Sequence, residues 1–158
     1  MATALKNLNE YSKNSFADMS EKRFGIVVAE WHTEITNALS NGAIETLLKH
    51  GVQRENIYLN TVPGSFELTL GAQLIAQSEE IDAVICLGVV IKGDTKHDDY
   101  INHAVAQGLT TVSLKYNKPV SFGLVTTNDL QQALDRAGGK HGNKGTEAAA
   151  AAIHMLSF

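Results

Sequence analysis

The sequence predicts an α/β protein built on a parallel sheet with helices on both faces. Three observations point to it. Short β-branched apolar runs alternate with segments whose apolar residues recur at helical spacing. The most continuously apolar run, "DAVICLGVVI" at 82–91, suits a strand covered on both faces. The order reads β-α-β-α-β-α-β-α-α, and such regular alternation implies right-handed crossovers between parallel strands.

Element by element, "RFGIVVAE" (23–30) is the first strand. The helix that follows, 33–50, carries Ile35, Leu39, Ile44, Leu47 and Leu48 on one side and stops at Gly51. "NIYLNTV" is the second strand, and "PGSFELTLGAQLIAQS" is a turn running into a helix. After the third strand, "HDDYINHAVAQGLTTVSLKYN" (97–117) is helical through much of its length, although "LTTVSL" has equally good strand character. "PVSFGLVT" is the fourth strand. Asn128 or Asp129 can cap the helix "DLQQALDRA", and "TEAAAAAIHML" is a final helix rich in the best helix former. Residues 1–22 show no clear periodicity and read as an arm, leaving 23–158 as a single domain.

The 158 residues are 44% apolar and 19% charged, as in an ordinary globular chain. A net charge of −4 argues against nucleic acid, which requires a clustered basic excess. No apolar run approaches the ~20 residues that span a bilayer, and the polar N-terminus fits a cytoplasmic protein. Cys86, the one cysteine, lies in the third strand and reads as a core residue rather than a reactive thiol, which needs a cationic, partly exposed setting.

In open parallel sheets ligands bind beyond the carboxyl ends of the strands, here "EWHT", "PGSFE", "KGDTKHDD" and "TTND". Trp31 is either a core aromatic or a flat wall for a heteroaromatic ring, and its place after a strand favours the wall. Glu67, in the turn Gly64–Ser65–Phe66–Glu67, either complements a helix start or accepts from a hydroxylated ligand. Gly93, Asp94 and Thr95 can form a turn whose N–H groups meet an anion. His97 is either a surface histidine or an acid–base group. Asp94, His97, Asp98 and His103 match no paired zinc spacing, so no metal is expected. The glycine-rich "RAGGKHGNKGTE" (136–147) is not a Walker phosphate loop. Gly138 and Gly142 are one residue too close, and Gly145 stands where the hydroxyl should follow Lys144.

Taken together, "PGSFE", "LGVVIKGDTKHDDYI", "PVSFGLVTT" and "RAGGKHGNKGTEAA", in this order and register from about Arg23 to the C-terminus, resemble the lumazine synthases. Those enzymes act in the penultimate step of riboflavin biosynthesis. The resemblance implies a flavodoxin-like three-layer α/β/α fold around a four-stranded parallel sheet. It implies condensation of 5-amino-6-(D-ribitylamino)uracil with 3,4-dihydroxy-2-butanone 4-phosphate, releasing phosphate and water without cofactor or metal. Trp31 would stack on the pyrimidine ring, while Ser65, Phe66 and Glu67 would receive the ribityl chain. The backbone of Val90 and Ile91 would lie along the ring, and Gly93, Asp94 and Thr95 would form the phosphate turn. His97 would shuttle protons. From the adjacent subunit Phe122 would close the pocket, Arg136 would hold the phosphate and Lys144 would meet the pyrimidinedione edge. Lys140 and Glu147 would support them, as would His32, which stands where the family often has Asn. The resemblance further implies a homopentamer and, with the short "GGKHGNKG" connection, an icosahedral shell of sixty subunits. The N-terminal arm would add a strand to a neighbour's sheet, and riboflavin synthase would be a candidate partner. The rival functions are a flavin or pterin carrier without chemistry and a nucleotide-binding domain.

Overall fold

The computed structural model describes residues 17–158. Four parallel strands, β1 (Phe24–Ala29), β2 (Ile57–Val62), β3 (Ala83–Ile91) and β4 (Val120–Thr127), form one sheet in the order β2-β1-β3-β4. The two central strands are the two with the most continuous burial, as their unbroken apolar sequences require. Alternation divides them between two cores. Phe24, Ile26 and Val28 join Ile85, Leu87 and Val89 against α1 (Thr33–Lys49) and α5 (Lys144–Leu156). Val27, Ala29, Val84, Cys86 and Val90 face α2 (Leu68–Ala76) and α3 (His97–Tyr116). With α4 (Leu130–Arg136) placing Ala133 in the first core, the result is a three-layer α/β/α arrangement.

The helix boundaries follow local chemistry. After α1, Gly51 takes a left-handed φ of 94°, which lets Val52 N–H reach back to the Leu47 carbonyl at 3.1 Å and turns Val52 into the core. The ambiguous "LTTVSL" is helical. Val105, Leu109 and Val112 recur at helical spacing and are buried in the α2/α3 core, while Thr110 and Thr111 donate to the Ala106 and Gln107 carbonyls at 2.9 Å. Tertiary burial outweighs the β propensity of the threonines. Asp129, not Asn128, caps α4, its Oδ1 accepting from Gln132 N–H at 2.8 Å.

The glycine cluster forms a short antiparallel hairpin, β5 (Ala137–Gly139) and β6 (Gly142–Asn143), with Gly138 and Gly142 at φ 117° and 76°. Asn143 then caps α5: Oδ1 accepts from Gly145 and Thr146 N–H at 2.8 and 3.2 Å, and Nδ2 donates to the Ala38 carbonyl of α1 at 2.9 Å. α1 and α5 approach so closely here that a Cβ on Gly145 would lie 1.8 Å from the Leu39 carbonyl oxygen.

The arm expected over residues 1–22 lies outside the described residues as far as residue 16. Met19 is buried in the α1/α5 core, Lys22 pairs with Asp82 at 3.1 Å, and Ala17 N–H donates to Ser157 Oγ at 3.2 Å. No helix among the described residues is long and apolar enough to cross a membrane.

Candidate active site

Three strand ends and one helix start converge on a cleft of about 560 Å³. β1 delivers Trp31 and His32. His32 adopts a left-handed backbone (φ 59°, ψ 57°), and its carbonyl accepts the first amides of α1, from Ile35 and Thr36, at 2.9 and 3.1 Å. Histidine is among the few non-glycine residues enriched in that conformation, as asparagine is. Trp31, directly before it, remains 69% exposed. A large aromatic left uncovered at a cleft mouth is unlike a core tryptophan.

β2 delivers Gly64 and a single 3₁₀ turn, Ser65–Glu67. Ser65 is buried and its hydroxyl donates to the Val89 carbonyl at 3.3 Å, tying the turn to the end of β3. Phe66 and Glu67 are exposed, and the Glu67 carboxylate makes no hydrogen bond or ion pair among the described residues. β3 lines the floor with Val89, Val90 and Ile91. The loop beyond it contributes Gly93 and Thr95, and the first turn of α3 contributes His97, Asp98 and Ile101. The imidazole of His97 sits at the positive end of a 20-residue helix and has no partner among the described residues.

Ten of the residues named from sequence therefore line one cleft: Trp31, His32, Ser65, Phe66, Glu67, Val90, Ile91, Gly93, Thr95 and His97. Asp94 belongs to the same loop but does not line it. Gly64, named only as part of its turn, and Asp98, weighed only as a metal ligand, line it too, while Val89 and Ile101 were missed. Ile101 lies four residues after His97, so helical spacing alone could have placed it beside that residue.

The others lie elsewhere on the chain. Phe122 projects from the edge strand β4 and is 49% exposed. Arg136, the last residue of α4, commits only Nη1 to a carbonyl, that of Gln132 at 3.3 Å. Lys144 and Glu147 form a tight, largely buried ion pair across the first turn of α5, in which the second carboxylate oxygen, Glu147 Oε1, has no hydrogen-bond partner among the described residues. Lys140 stands within 3.8 Å of Asp135. A single chain thus carries an acceptor, an aromatic wall and an imidazole in its cleft, while its cationic groups stand outside it.

Cys86 is fully buried, and desolvation pushes its thiol well above the ordinary value, so it supplies no thiolate. Among the described residues no three His, Cys, Asp or Glu side chains gather as metal ligands would.

Known proteins point the same way. The profile of 6,7-dimethyl-8-ribityllumazine synthases matches residues 21–158. A protein of that name from Cytophaga hutchinsonii is 57% identical over 99% of this chain and 98% of its own length. Another from Parabacteroides distasonis is 56% identical over 100% and 99%, and one from Phocaeicola vulgatus 51% identical over 100% and 94%. With the fold, the cleft and the full-length identity in agreement, the chain belongs to the 6,7-dimethyl-8-ribityllumazine synthase family.

Proposed function

We propose that this enzyme condenses 5-amino-6-(D-ribitylamino)uracil with 3,4-dihydroxy-2-butanone 4-phosphate to 6,7-dimethyl-8-ribityllumazine, releasing phosphate and water. One observation carries the reading: a stacking ring, a free carboxylate, an open glycine turn and an unpartnered imidazole share one cleft at the strand ends. A flat, polar heterocycle with a hydroxylated chain fits the first two, and a phosphorylated carbonyl compound fits the others.

In this reading Trp31 stacks on the pyrimidine and Glu67 accepts from ribityl hydroxyls. The amides of residues 93–95 hold the phosphate, the Asp94 carboxylate pointing away from it because like charges repel. The substrate's amine adds to the ketone and water leaves to give a Schiff base. Phosphate is then eliminated, and the second amine attacks the carbonyl so formed and closes the ring with loss of a second water. His97 moves the protons these steps require. Arg136 of a neighbouring subunit grips the phosphate in bidentate fashion as charge grows on it, Lys144 meets the pyrimidinedione edge and Phe122 covers the ring. Holding two substrates in register supplies much of the acceleration, up to roughly 7–11 kcal/mol in well-oriented cases. A neighbour that completes the site calls for a closed ring of subunits, a pentamer, with an icosahedral shell as its higher assembly.

The purified protein mixed with both substrates should generate the lumazine chromophore faster than the spontaneous reaction. A rate equal to the protein-free control would overturn the proposal.

A further inference from the structure

Gly64 occupies the point where two groups of the cleft come nearest each other. It is buried, and its backbone is extended, with φ −149° and ψ −179°, a conformation open to any residue. Conformation gives no reason for a glycine here. Space does: a Cβ at this position would lie 3.2 Å from Trp31 Cδ1, 3.7 Å from Trp31 Nε1 and 3.1 Å from Glu67 Oε2. Contacts of that length force the neighbours to yield. The Glu67 carboxylate ends a flexible, exposed side chain and can swing aside. The indole is rigid, and its backbone is held on one side by β1, through the Glu30 N–H to the Val62 carbonyl at 2.9 Å, and on the other by the left-handed His32 that opens α1. It can make room only by tilting.

We propose that Gly64 is a positioning residue, whose missing Cβ lets the pyrrole edge of the Trp31 indole pack against the β2 turn and sets the plane of the stacking wall beside Glu67. The inference rests on the reading of Trp31 as the surface that meets the substrate ring. It also accounts for a glycine in a turn that needs no special dihedral angles.

The chain's one tryptophan reports on its own position. In the free protein, Gly64→Ala should shift the Trp31 emission maximum and its quenching by acrylamide, and Gly64→Val should shift both further. In the two-substrate assay KM for ribitylaminouracil should rise about threefold for Gly64→Ala and about tenfold for Gly64→Val with kcat largely kept, the mark of lost ground-state stacking. Adding Gly64→Ala to Trp31→Ala should raise KM no further, because the ring it displaces is gone. A Gly64→Ala variant with wild-type emission and KM overturns the proposal. So does one whose KM penalty persists in the Trp31→Ala background, since that would make the effect one of backbone or fold. If the wild-type protein forms no lumazine, the proposed reaction fails, and the emission shift of Gly64→Ala alone decides the role of Gly64.

Discussion

His97, proposed above to move protons, is the residue whose surroundings bear most directly on its role. His97 begins α3 at the mouth of the cleft, and no side chain among the described residues competes for its nitrogens. Its neighbour Asp98 lines the same cleft. An imidazole left open to the cleft in this way suits a group that both takes and returns a proton. Replacing His97 by Ala should lower kcat by about 10²-fold with a much smaller change in KM, since the imidazole acts in the transition state rather than in holding either substrate. Steady-state kinetics decide it: an unchanged kcat would reduce His97 to a surface residue at a helix start. Cys86 gives the contrast. It also sits on a strand that leads to the cleft, yet full burial among apolar side chains leaves its thiol protonated and inert.

Among the elements, α5 depends most on a single side chain. Asn143 satisfies two N–H groups of its first turn through Oδ1 and ties the helix to α1 through Nδ2. Asn143→Ala removes all three hydrogen bonds where Gly145 and Leu39 bring the helices into contact. It should cost about 2 kcal/mol, the sum of a lost cap and one lost buried hydrogen bond. Calorimetry at fixed protein concentration should show Tm lowered by about 4–8 °C, and Asn143→Asp, which keeps the acceptor, should recover part of that. A Tm within about one degree of wild type would mean that water replaces the cap. This element also shows where reading from sequence stopped short. The strands were legible because short β-branched apolar runs stand out between the helical segments, β3 most of all through its long uninterrupted run. The start of α5 was not, since its cap is completed by the Ala38 carbonyl, more than a hundred residues away. The ambiguity of "LTTVSL" ended for the same reason: β-branched threonines favour a strand locally, and only packing of Val105, Leu109 and Val112 in the α2/α3 core selects the helix. In the site, residues just after strands were legible from topology. Gly64 as more than a turn residue was not, because only coordinates reveal how near the indole lies.

At the level of the whole molecule, the proposed sharing of a site between subunits rests on the separation of the cleft from Arg136, Lys144 and Phe122. Within one chain the strand-end cleft holds His97 and Glu67, while the cations stand on α4 and α5 and Phe122 on the exposed face of an edge strand. Arg136 spends one of its five donors on Gln132, leaving the remainder for an anion. In the proposed ring of subunits the α4 end of one copy would meet the cleft of the next, a heterologous contact that closes on itself. This makes a prediction that a self-contained site does not share. His97→Ala damages the cleft side and Arg136→Ala the neighbour's side, so each should be nearly inactive alone at low concentrations of the phosphorylated substrate. When the two are co-expressed and assemble together, an interface with intact His97 on one subunit and intact Arg136 on the next arises at random in about a quarter of cases. Specific activity should therefore recover to about a quarter of wild type. Analytical ultracentrifugation on the same sample should show one assembled species, a pentamer or a shell of pentamers. Recovery no greater than the sum of the two variants, in a mixed assembly of that size, would place Arg136 outside the active site.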